Sequence, residues 1–561
     1  LQLPGRLPLT RMTQAPHQTI IEYEREPVPE SARLGLRSFL GQYAGEHVAG
    51  TELMIGPLFV AAGVGAVDLI GGLLVGNLLA VLSWRFFTAP IATRARLTLY
   101  YQLEKICGRR LVTAYDVANG VMFTLLAGAM ITVAATALGV WFRFTMPELT
   151  DTLPNSVGWV LAVLTTGALF SLLAAYGYKA LARFANLAAP WMVAMFVALG
   201  LVGLHQIGIR SLREFWPAAQ TILWNGGPPL AGRVKFTFWH VMFFAWFCNV
   251  AWHMGMADLS VLRYARRPAY ALASAAGMYL GHFIAWIAAS ILYALQLKQD
   301  PTHTAVLPGP MAYRACGLAG VLLVVIAGWT TANPTLYRAG LAFQAISPGS
   351  SRFTVTLLTG LAATVTAVFP LVTMRLLEFV ALWGMILMPM GAVIFMDFWV
   401  LPRLGLQANY AEATGLPINW AAALTWAVTV AGCVTLVFRG GVQIFFVSLP
   451  GWFIAALLYV MLSALLQRRQ PVPGQLRSAV SQPAQPVHAA GGASPQHLVP
   501  PRPIRHVAQV LSGLALAGVL LPPGLAFAGR LELEQAWAWM LAATVAWFAS
   551  APWWMDRKSS Q

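Results

Sequence analysis

The apolar residues of this chain fall in long blocks, and about twenty apolar residues in a row suffice for one helical crossing of a bilayer. Inside hydrocarbon no water satisfies the backbone N–H and C=O groups, so each block must close its hydrogen bonds within itself, as a helix does. Composition agrees: 58% of the 561 residues are hydrophobic and 10% are charged, whereas a soluble chain carries about a quarter charged residues. The chain reads as an all-α integral membrane protein. Spans are expected near 39–66, 67–87, 113–139, 157–177, 180–204, 237–261, 270–296, 315–345, 354–374, 376–400, 418–438, 442–466, 507–528 and 533–554. Several are longer than a straight crossing needs, which predicts tilt, kinks or breaks rather than extra spans.

A net charge of +16 suits nucleic acid or an asymmetric membrane topology, and its placement selects the second. With a cytoplasmic N-terminus and fourteen spans, roughly 26 of the 36 Lys and Arg fall on the cytoplasmic side, the positive-inside pattern. Arg33 and Arg37 precede the first span, and Arg94, Arg96, Lys105, Arg109 and Arg110 follow the second. Arg263, Arg266 and Arg267 follow the sixth, and Arg468 and Arg469 the twelfth. These groups suit anionic lipid, and no basic soluble domain is at hand to carry nucleic acid. The expected location is a bacterial inner membrane, multi-pass, with both termini cytoplasmic.

Four regions follow. Residues 1–35 are a polar cytoplasmic tail, and the first 30 lack the apolar centre of a signal peptide. Residues 36–466 are a twelve-span body with short loops. Residues 467–505, rich in Pro, Ala, Gln and Ser, cannot bury a core and read as a disordered cytoplasmic linker. Residues 506–561 form a two-span hairpin. Cys107, Cys248, Cys316 and Cys433 stand apart and read as small packing residues. HExxH, CxxC, the Walker loop and GxSxG are all missing, so neither an enzyme nor a nucleotide-driven pump is expected. Glu148 and Asp151 are the one outer acidic pair, and solvated charge is the default for such a loop.

Two spans are unusual. The first contains GQYAGEHVAGTELMIGPLFVAAG, with Gly45, Gly50, Gly56 and Pro57 close to Glu46, His47, Thr51 and Glu52. The sixth contains FFAWFCNVAWHMGMADLSVLRYARR, with Asn249, His253 and Gly255 inside an apolar stretch and Asp258 near its end. Interrupted helices at matching places of two halves point to a transporter binding site, because each half exposes unpaired N–H or C=O groups.

On these residues the body resembles the nucleobase–cation symporter-1 family, in particular its bacterial cytosine permease branch. The likeness begins with PVPESARLGL and VDLIGGLLVGNLLAVL, and continues with GYKALARFANLAAPWM and ADLSVLRYARR. Its strongest block is GWTTANPTLYRAGLAFQAISPGSSRFTV, followed by LLEFVALWGMILMPMGAVIFMDFWV and LPINWAAALTWAVTVAG. It spans about residues 27–466. The resemblance implies a LeuT-type 5+5 inverted repeat with broken helices one and six, two added spans, and a central site between helices one, three, six, eight and ten. It also implies a sodium site in span eight, where Ala327, Thr330 and Thr331 keep the family's spacing. Hydroxyl and carbonyl oxygens suit a hard monovalent cation, and helix-one carbonyls, from Thr51 or Glu52, would complete the shell.

The pocket departs from the family. Where relatives place a stacking Trp in span three, Met122 stands here, beside Phe123 and one turn from Asn119. The span-six aromatic corresponds to Asn249, between Trp246 and Trp252, and the branch's WTTNDN reads WTTANP, which leaves Asn333 as the amide. Glu52 replaces a small or neutral residue. The scaffold is kept and the pocket rewritten, which moves the expected solute away from cytosine itself.

The candidate solute-binding residues are therefore Thr51, Glu52, Asn119, Phe123, Trp246, Asn249, Trp252, His253, Asn333 and Trp383. An ionisable group inside the membrane costs at least ~2.5–3.5 kcal/mol on insertion scales and is usually functional. Glu52 thus reads as a cation ligand, a proton carrier or a counter-charge for a cationic solute; the plainer reading is a hydrogen-bonded acid packing the break. Glu46 and His47 read as a vestibule pair or a proton relay. Asp258 reads as the ion-pair partner of Arg263 and Arg266. Phe123, Trp246, Trp252 and Trp383 offer faces for a flat ring, though tryptophan also marks membrane interfaces. Thr330 and Thr331 read as cation ligands, or else as threonines bonded to the carbonyl one turn back. The functional expectation is a secondary active transporter importing a nucleobase-like or related small heterocycle, coupled to sodium or protons. The alternatives are a transporter of a cationic or amino-acid-like metabolite and a transporter-derived membrane sensor.

Overall fold

The computed structural model describes residues 23–147, 151–248, 250–371, 376–469 and 502–555. Most of the expected linker, together with Glu148 and Asn249, lies outside them. Among the described residues every named element is helical, and β-pairing is limited to two isolated bridges, Leu34 with Ala265 and Gly65 with Asn225.

Among the described residues ten helices are long and apolar enough to cross a membrane. In the body they are span two (Ala66–Ala95), three (Arg109–Phe142), four (Val157–Ala175), five (Tyr178–Ile207), seven (Pro268–Gln299), eight (Pro308–Ile346), ten (Phe379–Trp399), eleven (Trp420–Phe438) and twelve (Ile444–Arg468). The tenth is span thirteen, Ile504–Phe527. The other four expected spans take different forms. Span one is two short helices, Leu36–His47 and Glu52–Ala61, and span six is Phe238–Phe247 and Leu259–Leu262. Span nine is the 16-residue helix Arg352–Ala367, and span fourteen is Leu533–Ser550. The breaks expected from the Gly- and Pro-rich sequences of spans one and six are thus where two of the missing long helices went.

Spans three and eight form the central pair, both largely buried. Around them, close helix approach depends on missing side chains, as it does in membranes generally, where small residues let backbones touch. Gly56 is one such place: a Cβ there would lie 2.5 Å from the carbonyl oxygen of Trp286, so glycine lets the second half of span one lie flat on span seven. The cysteines are free, with Cys107, Cys316 and Cys433 buried and Cys248 partly so.

The C-terminal hairpin is docked on the body by tryptophans. Trp547 Nε1 donates to the Leu187 carbonyl at 3.0 Å, and Trp191 Nε1 of span five donates to Thr544 Oγ1 at 3.0 Å. Trp537 Nε1 donates to the Ala315 carbonyl at 2.8 Å. That last bond lands beside a kink in span eight, where Cys316 and Gly317 leave helical geometry (Gly317 φ 56°). In hydrocarbon, backbone freed by a kink must find a partner from its surroundings, and the hairpin supplies one. The hairpin should therefore act as a removable buttress. We predict that a chain ending near residue 470 still inserts and folds, and that Trp547→Ala in the full chain costs about 3–5 kcal/mol, the usual range for emptying a buried aromatic site. Thermal unfolding of both purified proteins checks this; an unchanged midpoint for Trp547→Ala would show that the docking is loose.

A candidate solute site at the breaks of spans one and six

Span one leaves the helix after His47, where Val48 takes φ −95° and ψ 57°, and resumes at Glu52. The carboxylate of Glu52 therefore sits at a helix N-terminus, where the helix dipole favours negative charge. Span six ends at Phe247 and resumes at Leu259. Between them Met256 is held at φ 63°, left-handed for a residue with a side chain, a conformation that costs of order 1–3 kcal/mol and clusters at functional sites. Span ten presses on this break: a Cβ on Gly391 would lie 1.9 Å from the Met254 carbonyl oxygen. Only glycine fits.

One end of the site is closed by buried charge. Arg338 of span eight, 0% exposed, grips both carboxylate oxygens of Glu46, Nη1 to Oε1 at 2.6 Å and Nη2 to Oε2 at 3.3 Å. Its Nη2 also reaches Asp258 Oδ1 at 2.5 Å. The second oxygen of Asp258 accepts from Tyr43 Oη at 3.0 Å and from Trp84 Nε1 at 2.7 Å, and Trp252 Nε1 donates to Glu46 Oε1 at 3.1 Å. Trp84 opens a π-helical turn, Trp84–Thr88, in span two, and Thr88 donates to the His253 carbonyl. The network thus joins the first half of span one, the second half of span six, and spans two and eight. Asp258 pairs with Arg338 rather than with Arg263 and Arg266. Arg263 turns instead to carbonyls at Ser260 and Tyr23 and to the hydroxyls of Tyr264 and Tyr337.

Above this network lies a cavity of about 350 Å³. Its polar wall includes Glu46, His47, Thr51, Glu52, His282 and Thr331, and its aromatic wall includes Trp252, Phe244 and Phe247. Exposed Gly232, Arg233 and Val234, from the connection between spans five and six, stand at the mouth. Among the described residues the exposed part of the lining is at that end, whereas Glu46 and Trp252, which line the cavity floor, are buried and bond into the network.

Of the residues singled out from sequence, Thr51, Glu52, Trp252 and Thr331 line the cavity. Phe123 stands behind Trp252, edge-on at 5.2 Å. Glu46 and His47 line the cavity too, Asn249 lies outside the described residues, and the other solute-site candidates are turned to protein. Asn119 Nδ2 donates to Tyr115 Oη at 3.3 Å, Trp246 Nε1 to Ser83 Oγ at 3.0 Å and Trp383 Nε1 to the Ala118 carbonyl at 2.6 Å. His253 Nε2 lies 2.7 Å from the Trp246 carbonyl, and Asn333 is buried in span eight. Sequence reasoning passed over Arg338 and His282. Each carried a signal: a lone Arg in TLYRAGLAF and a lone His in GMYLGHFIAW, both inside apolar runs.

The span-eight oxygens converge. Thr330 Oγ1 and Thr331 Oγ1 lie 3.1 and 3.0 Å from the Ala327 carbonyl, and Thr331 Oγ1 lies 3.1 Å from the carbonyl of Glu46 at the end of the first half of span one. A carbonyl and two hydroxyls from span eight and a carbonyl from span one are oxygens of the kind a hard monovalent cation takes; Thr330 Oγ1 also meets Met192 Sδ of span five at 3.6 Å.

A helical bundle broken in its first and sixth spans, with its cavity at the two breaks, is a LeuT-type membrane fold with two added spans. Solved structures agree. Mhp1, a nucleobase-cation-symport-1 family transporter in a closed conformation with bromovinylhydantoin bound, matches 81% of this chain with 98% of its own at a TM-score of 0.62 and 16% identity. The inward-facing conformation of Mhp1 matches 80% of this chain and 94% of its own, with TM-score 0.57 and 16% identity. A Na⁺-coupled sialic acid symporter, substrate-bound and outward-open, matches 79% and 92%, with TM-score 0.56 and 13% identity. No protein-family profile and no curated protein matches the sequence. The chain has the fold of these transporters.

The arginine network generates its own test. Removing Arg338 leaves two buried carboxylates facing each other, and breaking a buried pair from one side costs about 3–5 kcal/mol. Arg338→Met should lower thermal stability by that order. Adding Glu46→Gln and Asp258→Asn should restore most of it, since a neutral cluster needs no counter-charge. A triple variant as unstable as Arg338→Met would show that packing, not charge, holds this end shut.

Proposed function

We propose that this protein is a secondary active transporter of a small, flat heterocycle of nucleobase type in a bacterial inner membrane, driven by a coupling cation. One observation carries the reading: a cavity at the breaks of two helices is open at one end of the bundle and sealed at the other by an ion network that spans both broken helices. That is one half of an alternating-access cycle, in which the seal must break for the solute to leave. A volume of about 350 Å³ falls in the range of small-molecule sites, and Trp252 with Phe244 and Phe247 offers faces for a ring. The sequence likeness to the symporter family and the Mhp1-like fold support the same class of solute.

A second reading has one specific observation behind it. Two carboxylates, Glu46 and Glu52, line the cavity, and a cationic or amino-acid-like metabolite would meet them favourably. A membrane sensor that binds without transporting differs from both by showing no flux.

Sodium is the proposed coupling ion, held by the Ala327 carbonyl, the Thr330 and Thr331 hydroxyls and the Glu46 carbonyl. Because Thr331 reaches across to span one, a cation there would hold the first half of span one against span eight. Coupling between cation and solute is reciprocal in free energy, typically 1–3 kcal/mol or about 5- to 150-fold in affinity. In proteoliposomes given a panel of radiolabelled hydantoins, uracil, cytosine and purines, at least one should accumulate in sodium and fail to do so in choline. Thr331→Ala should weaken the sodium effect about ten-fold or more while leaving uptake at saturating sodium. Binding of any panel member with no flux under either gradient would make the protein a sensor; accumulation of amines or amino acids alone would favour the second reading.

A further inference from the structure

The sodium ligands and the aromatic wall leave one part of the cavity unexplained, the pair Glu52 and His282. We infer that these two side chains form a binding site for a single proton in the cavity wall, distinct from the span-eight cation site; the inference rests on reading the cavity as the solute site.

Three observations converge on it. The first is a contrast of partners. Glu46 is held by a guanidinium at 2.6 Å, whereas among the described residues the one ionisable partner of Glu52 is His282, whose Nε2 lies 3.7 Å from Oε1. The second oxygen of Glu52 accepts from the neutral indole N–H of Trp286. A carboxylate with this surrounding, 3% exposed, bears a charge that no fixed cation balances, with only the helix dipole and an indole N–H to offset its burial.

The second is local backbone. His282 lies in a π-helical stretch of span seven, Ala276–Phe283, and π-turns inside helices recur at functional sites because they re-aim side chains. On the same stretch Gly277 and Gly281 bring span seven against span one: a Cβ on Gly281 would lie 2.4 Å from the His47 carbonyl oxygen, and one on Gly277 2.7 Å from that of Tyr43. His282 stacks on Trp286 with ring centroids 4.2 Å apart, so one helix turn fixes both the histidine and the indole around the carboxylate.

The third is access. Glu52 and His282 both line the cavity, so a proton reaches them by the solute's own path. The other titratable or charged groups facing the pair are few. His47 of span one meets His282 ring to ring at 4.9 Å, Cys248 of span six lines the same cavity, Glu46 lies at the floor bound to Arg338, and exposed Arg233 stands at the mouth.

One proton on the pair gives a neutral acid beside a neutral imidazole, because a buried carboxylate–imidazolium pair 3.7 Å apart would keep two charges out of water without a direct hydrogen bond. Without it the wall carries one negative charge. An uncharged solute that fills the cavity displaces the water solvating that charge, which favours the protonated pair. Proton and solute therefore bind with positive coupling, and by linkage each raises the other's affinity equally.

The test needs no solute. Infrared difference spectra of the purified full chain, taken between acid and alkaline buffer, should contain a carbonyl stretch from a neutral carboxylic acid. That band should be lost in Glu52→Gln and move in frequency in Glu52→Asp, which also serves if the glutamine variant does not fold. It should titrate at a different pH in His282→Gln. A band set identical in wild type, Glu52→Gln and Glu52→Asp would overturn the site, and so would a Glu52 band indifferent to His282→Gln. These outcomes are independent of transport: heterocycle flux without the Glu52 band sinks the proton site alone, and the band without flux of any tested solute sinks the transporter reading alone.

Discussion

The buried contact of Arg338 with Glu46 and Asp258 is the interaction on which the arrangement of the broken helices depends. A guanidinium presents donors in a planar fork, and here that fork is shared between a carboxylate near the end of the first half of span one and one at the start of the second half of span six. Neither half-helix is long: the first has 12 residues and the second 4. Each lacks the hydrogen-bonded length that would hold it upright alone. The charges set their positions, and Tyr43, Trp84 and Trp252 supply the donors that complete the carboxylates.

Such a network is bistable by nature. Buried ion pairs add little net stability over a well-packed apolar core, because desolvation offsets much of their attraction, yet losing one partner is costly. A closed seal is therefore strong against partial opening and gives way only when all its members are solvated together. Under the transporter reading proposed above, that is the behaviour a gate at the floor of the cavity needs. The wall above is built on the opposite principle. Glu52 and His282 stand 3.7 Å apart, close enough for the charge of one to bear on the other but without the fixed counter-ion that Arg338 gives Glu46.

Much of the fold was legible in the sequence, because bilayer thickness and backbone satisfaction leave a long apolar block no alternative to a helix. The breaks in spans one and six were legible too, from Gly and Pro next to polar residues in otherwise apolar runs. The site was legible in part. Thr51, Glu52, Trp252 and Thr331 were singled out by position beside those breaks or by motif spacing, and they line the cavity. Trp246, His253 and Trp383 were singled out by the same reasoning and bond to protein instead. Residue type shows that an aromatic ring is present, but the face of the helix it occupies depends on how far the break has turned the chain.

What the sequence alone determined is the class of structure: an α-helical membrane protein with two interrupted spans, since hydropathy and helix-breaking residues act locally and do not need to know their neighbours. What only the tertiary structure decided is which charges meet. Arg338 and Glu46 are 292 residues apart, and Arg338 and Asp258 are 80 apart. Asp258 lies five residues from Arg263, yet it turns away from that nearer cation. Pairing in a low-dielectric interior is settled by which groups the packing of whole helices brings within about 3 Å and shields from water, and that distance is a property of the bundle, not of any segment of the chain.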